Sequence, residues 1–164
     1  MQFLRGDFQG AGDPLRPPWS LSELQFQDKC TGCGDCIEAC PYHLISEGRA
    51  KFPEIDFTNY GCDFCGDCVT ACKPGALQRG EASDSSPWNL KATILPACLS
   101  LNAVVCRSCG EACEERAISF KLETGGIARP LLDMNSCTGC GECFAVCPIK
   151  AVKISSTESR NEAA

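Results

Sequence analysis

The chain has 164 residues, 16 of them cysteine, with 7% aromatic and 22% charged residues and a formal net charge of −6. An acidic chain whose 15 Lys and Arg stand scattered lacks the basic footprint of a nucleic-acid binder, so no nucleic-acid partner is expected. No stretch approaches the roughly 18 uninterrupted apolar residues of a spanning helix, so no membrane insertion is expected.

The N-terminus, Met1 to Asp7, has no apolar h-region and no small-residue cleavage site, and Arg5 stands alone. The chain is therefore expected to stay in the reducing cytoplasm, where dense cysteine reads as metal binding or redox chemistry. Residues 1–29 form an arm without cysteine that carries Arg16-Pro17-Pro18-Trp19. This arm either packs Trp19 on the first module or docks a partner, since Trp and Arg are enriched in binding hot spots.

The cysteines then form an internal repeat. The first block is Cys30-x2-Cys33-x2-Cys36-x3-Cys40, followed by Pro41. The second is Cys62-x2-Cys65-x2-Cys68-x3-Cys72. The third keeps Cys106-x2-Cys109-x3-Cys113 but places its leading cysteine early, at Cys98. The fourth is Cys137-x2-Cys140-x2-Cys143-x3-Cys147, followed by Pro148. No cysteine is left over, and each block is followed by two mostly apolar positions: Leu44-Ile45, Ala76-Leu77, Ala117-Ile118 and Ala151-Val152. The most linker-like stretch, Gly80 to Pro87, divides the blocks into a module over 30–80, a linker over 81–90 and a module over 91–154. The polar tail 155–164 is expected to be disordered.

Regular structure is expected to be thin. A short helical turn is expected after each final cysteine, with Pro41 and Pro148 at its first position. Ile118–Leu122 alternates like a strand that Gly125-Gly126 turns back into Ile127–Leu132, and Lys51–Phe57 suggests a weaker hairpin. The fold class this supports is α+β: two tandem bacterial-ferredoxin-like modules of short hairpins and short helices wrapped around paired clusters.

A C-x2-C-x2-C run puts three thiolates on one curled loop facing a common centre, and the C-x2-C-x2-C-x3-C-P run is the bacterial ferredoxin signature, whose fourth Cys ligates the other cluster of the pair. Four [4Fe–4S] clusters are therefore expected. Cys30, Cys33 and Cys36 would share one with Cys72, and Cys62, Cys65 and Cys68 another with Cys40. Cys98, Cys106 and Cys109 would share the third with Cys147, and Cys137, Cys140 and Cys143 the fourth with Cys113. The alternative for the third block is a free Cys98 that leaves an open iron or a three-iron cluster. Zinc fits a third Cys two residues on poorly, and disulfides would need export.

His43, the only histidine, is expected to be a solvated side chain on a short helix. Asp35, Asp67, Glu111 and Glu142 read as solvated charges and form no catalytic carboxylate pair. No nucleophile elbow, phosphate loop or dinucleotide fingerprint is present, so no catalytic residue is assigned and the chain is not expected to be an enzyme.

With the Arg16-Pro17-Pro18-Trp19 arm, Trp88-Asn89-Leu90, the Cys98-Leu99 to Cys106-Arg107-x-Cys109 spacing and the last block in view, the chain resembles the NapF family. These are the ferredoxin-type proteins of the periplasmic nitrate reductase system. The resemblance runs from Leu4-Arg5-Gly6 to Cys147-Pro148; the arginine pair that often precedes Leu-Arg-Gly in the family is missing here. It implies a cytoplasmic accessory that interacts with the precursor of the catalytic subunit NapA. Such a protein helps that subunit mature before export, one route being insertion of its [4Fe–4S] cluster. The chain is expected to act as a monomer. The alternative is an electron-transfer ferredoxin subunit of another oxidoreductase complex.

Overall fold

The computed structural model describes residues 14–80, 86–125 and 127–157. The first element, helix α1 (Glu23–Lys29), lies in the arm and places an acid in its first turn and Lys29 in its last, both favourable to the helix dipole. Its buried side chain is Phe26, fully removed from solvent. The arm is tied to the first module by main-chain bonds, from Leu21 N–H to Ala76 O at 3.1 Å and from Gln78 N–H to Trp19 O at 2.8 Å. Residues 14–29 are thus built into the module, and Trp19 packs edge-on to Phe64 with Arg79 stacked on its ring.

Arg16 holds this docking together. Its guanidinium donates to both Glu23 carboxylate oxygens, at 3.0 and 2.7 Å, and to Pro53 O at 3.2 Å, while lying over the rings of Phe26 and Phe52. The hydrogen bond from Arg16 holds the Glu23 carboxyl below its ordinary range. Arg16→Ala is expected to lower the stability of the loaded protein by about 1–2 kcal/mol, read from its denaturant midpoint. A carboxyl depressed in the folded state contributes stability above its unfolded pKa and loses it as pH falls through the folded value. The ionic part of the difference between wild type and variant should therefore be full near neutrality and shrink below about pH 4.

Within each block the helical turn carries the third cysteine and ends ahead of the fourth. These turns are α2 (Asp35–Glu38), α3 (Asp67–Ala71), α4 (Ser108–Glu111) and α5 (Glu142–Ala145). Helix α2 packs against α3, and α4 against α5. The helical turns expected after the final cysteines are instead single β-turns. Cys40, Cys72, Cys113 and Cys147 each accept from the N–H three residues on, that of His43, Gly75, Arg116 and Lys150. All four closing residues have positive φ, which ends the turn and prevents a helix from continuing. His43 is accordingly exposed at φ 52°, on a turn and not on a helix.

Among the described residues, three two-stranded antiparallel sheets complete the fold. Strand β1 (Ile45–Glu47) pairs with β2 (Pro53–Ile55), and Phe52-Pro53 lies inside the weaker expected hairpin. Strand β4 (Ile118–Leu122) pairs with β5 (Ala128–Leu132) in the register Ile118 to Leu132. The expected Gly125-Gly126 turn is described at Gly125, while Gly126 lies outside the described residues. The third sheet joins β3 (Leu90–Ile94) to β6 (Val152–Ser156), tying the two ends of the second module together. Strand β6 includes Ser155 and Ser156, the first residues of the segment read as tail; residues 158–164 and linker residues 81–85 lie outside the described set.

Candidate metal centres

Each half of a block delivers its thiols differently. The first two cysteines lie ahead of a helical turn that carries the third, and in three blocks that turn is capped by a glycine in the left-handed region: Gly34, Gly66 and Gly141. The fourth cysteine leaves the helix and points across the helix pair into the other loop's cavity. Cys30, Cys33 and Cys36 therefore share a first cavity with Cys72. Cys62, Cys65 and Cys68 share a second with Cys40. Cys137, Cys140 and Cys143 share another with Cys113, here called the fourth site. At the third site the Cys109 thiol stands among those of Cys98, Cys106 and Cys147.

Much of the remaining lining is apolar, for example Leu44, Ile45 and Ile55 at the second site and Ala117, Ile118 and Ile154 at the fourth. Main-chain N–H groups point at the crossing sulfurs: Leu44 at Cys40 Sγ and Leu77 at Cys72 Sγ, both at 3.4 Å, and Ala151 at Cys147 Sγ at 3.2 Å. Such donors stabilise charge on sulfur. Among the described residues no three Cys, His, Asp or Glu converge closely enough to hold a single metal ion. The thiols stand around a volume, as the ligands of a polynuclear group must.

Electrostatics make the same point. Burial, and then neighbouring thiols, push Cys36 and Cys143 up to about 12 and Cys68 and Cys109 up to about 11. Burial first, and then Cys68, Asp63 and Cys65, push Cys62 up to about 12 against an opposing main-chain hydrogen bond from Phe64. Four such thiols ionise together only beside a strong positive charge, which a cationic iron core supplies.

The two modules meet at the second and fourth sites. Cys62 N–H donates to Cys140 O at 2.7 Å, and Gly61 N–H to the Glu142 carboxylate at 2.7 Å. Glu142 thus has a structural task that its solvated reading missed. Asp35 is paired with Lys73 at 3.2 Å. Gly141 sits at φ +87°, and a Cβ there would lie 2.1 Å from the buried Phe57 ring of the first module. Gly141→Ala is therefore expected to destabilise the loaded protein by about 2–4 kcal/mol, combining left-handed strain with overpacking. A melting curve followed by visible absorbance would show it.

Crossed thiol quartets in two short-elemented modules define an iron–sulfur protein of the bacterial ferredoxin type, a class that carries electrons rather than catalysing a reaction. Residues 29–77 match one 4Fe-4S dicluster domain family and residues 104–151 match a second. The chain is 40% identical to the ferredoxin-type protein NapF of Haemophilus influenzae, over 92% of this chain and 90% of that protein. It is 38% identical to NapF of Escherichia coli, over 91% and 89%. It is also 33% identical to the ferredoxin-type protein NapG of Escherichia coli, over 89% of this chain and 72% of that protein. The chain belongs to the NapF family of ferredoxin-type proteins. No helix among the described residues is long and apolar enough to cross a membrane.

Proposed function

We propose that this protein holds four [4Fe–4S] clusters on its 16 cysteines and acts in the cytoplasm, as a monomer, in the maturation of the nitrate reductase catalytic subunit NapA before export. The observation that carries the cluster assignment is the crossing of fourth cysteines between cavities, which gives each site four thiols and leaves none spare. Identity to NapF proteins over nine-tenths of the chain supports the place in the nitrate reductase system. When bound, the clusters supply one-electron redox chemistry. The chain's own residues hold them in largely apolar cavities and direct N–H groups at their thiolates. No catalytic residue is assigned.

The test is an anaerobic pull-down from nitrate-grown cells, with iron and acid-labile sulfide measured on the bait. Recovery of the NapA precursor together with about four irons per site is expected. Failure to recover a nitrate reductase subunit counts against the maturation role, and an iron-free, zinc-containing bait sinks the cluster reading. A second reading, an electron-transfer subunit of another oxidoreductase, is favoured by the direct Cys62 to Cys140 contact between modules. A maturation donor would surrender its clusters to an apo-partner, whereas an electron-transfer subunit would keep them through repeated reduction.

A further inference from the structure

We infer that electrons pass between the two modules at one built junction, the contact of the second and fourth sites, and that Trp88 is the positioning residue that holds it closed. The inference rests on the four-cluster reading. Cys62 and Cys140 carry thiols at different sites, yet a single hydrogen bond of 2.7 Å joins their main chains. The route from one thiol to the other is therefore a run of covalent bonds interrupted once, by that hydrogen bond.

Trp88 comes from the segment read as linker, but it touches both loops. Its ring stands edge-on to Phe64, which lies between Cys62 and Cys65, with centroids 5.3 Å apart. It meets Phe57 in the same way at 5.8 Å. Its indole N–H donates to the carbonyl of Thr138, between Cys137 and Cys140, at 2.9 Å. The indole thus clamps one ligand loop to the other and covers the contact with aromatic surface, and edge-to-face rings of this kind add to their area burial. On the far side, the Lys150 ammonium donates to Thr58 O at 3.1 Å. Within each module the paired sites are already neighbours, since the Cys36 thiol feels Cys68 and the Cys143 thiol feels Cys109. The order along the molecule is therefore first, second, fourth, third, with the first and third sites at the ends.

The step is a transfer of one electron. The second site is oxidised and the fourth reduced, or the reverse, and no bond, proton or leaving group moves. The junction matters because transfer falls steeply with separation, and a rigid contact fixes that separation.

The test uses the full chain, purified anaerobically and poised half-reduced. Exchange spectroscopy on the hyperfine-shifted cysteine β-protons reads electron exchange within and between modules. Trp88→Leu is expected to leave iron, sulfide and exchange within each module unchanged, while exchange between modules slows by about an order of magnitude, as small misplacements do elsewhere. Trp88→Phe, which keeps the ring but not the indole N–H, is expected to fall between. Lys150→Met loosens the other side of the junction and should act in the same direction, which covers the case of Trp88→Leu failing to fold. Unchanged exchange between modules in a fully loaded variant would overturn the junction. A wild-type iron content well below about sixteen per chain would sink the four-cluster reading instead, and the junction with it, before any exchange is measured.

Discussion

Stripping the iron is expected to unfold both modules, with visible absorbance and circular dichroism lost together. The elements are too small to stand alone: α2, α4 and α5 have four residues each and all three sheets have two strands. Helices of one turn and isolated hairpins are unstable in water. Cys36, Cys68, Cys137 and Cys143 count among the buried core beside Leu44, Ile45, Ile118 and Val152, so the thiol cavities run through the middle of the apolar cluster. Emptying those cavities leaves buried thiols and apolar side chains without the group they enclose, which adds to the loss. On the proposed ligand sets the clusters would also cross-link segments distant in sequence, such as Cys36 with Cys72, and that restraint on the unfolded chain would vanish with them. Chelation under anaerobic conditions, followed by thermal scans, reads the effect. An iron-free chain that still unfolds cooperatively would show that the apolar contacts suffice.

What the sequence disclosed of this architecture follows from how local each feature is. The blocks at Cys30–Cys40, Cys62–Cys72 and Cys137–Cys147 and the β4–β5 hairpin each depend on residues within about one turn or one hairpin of one another, and ligand spacing or alternation reports them directly. The helical turns were expected one segment too late because Pro41 and Pro148 suit a helix start as well as a turn. The positive φ at His43, Arg116 and Lys150 that decides between these is invisible in residue type. Helix α1 was missed because a single side chain, Phe26, anchors it, which gives no periodic stripe. The β3–β6 pair joins segments some sixty residues apart. Its alternation, Leu90-Lys91-Ala92 against Val152-Lys153-Ile154, was present but short, and the serines that end β6 resemble a tail. Glu142 and Trp88 acquire their tasks only when the modules meet, a long-range fact that no local pattern carries.

Cys98→Ala is expected to remove about a quarter of the iron while leaving the other three sites loaded, because four sites of four irons each are proposed. The matched dicluster family begins at residue 104 and so leaves Cys98 outside it. The case for Cys98 therefore rests on how the longer loop folds. After Cys98 the chain makes a 3-10 turn over Ser100–Asn102, closed by Asn102 N–H on Cys98 O at 3.2 Å and by Val104 N–H on Leu99 O at 3.0 Å. The Asn102 side-chain amide donates to Pro96 O and Cys98 O, both at 2.8 Å, which fixes the backbone on either side of the thiol. Ala103, at φ 61°, then reverses the chain toward Cys106. The buried Ser100 hydroxyl donates to Ala128 O on β5, pinning the turn to the sheet. The extra residues are thus absorbed in a fastened turn, and the Cys98 thiol stands beside Cys109, as do Cys106 and Cys147. A thiol carried there by this set of main-chain and side-chain hydrogen bonds supports the proposed ligation. Iron and sulfide analysis with electron paramagnetic resonance separates the outcomes. Loss of the whole site, or its conversion to a three-iron signal, supports ligation, and unchanged iron with an unchanged spectrum removes Cys98 from the ligand set.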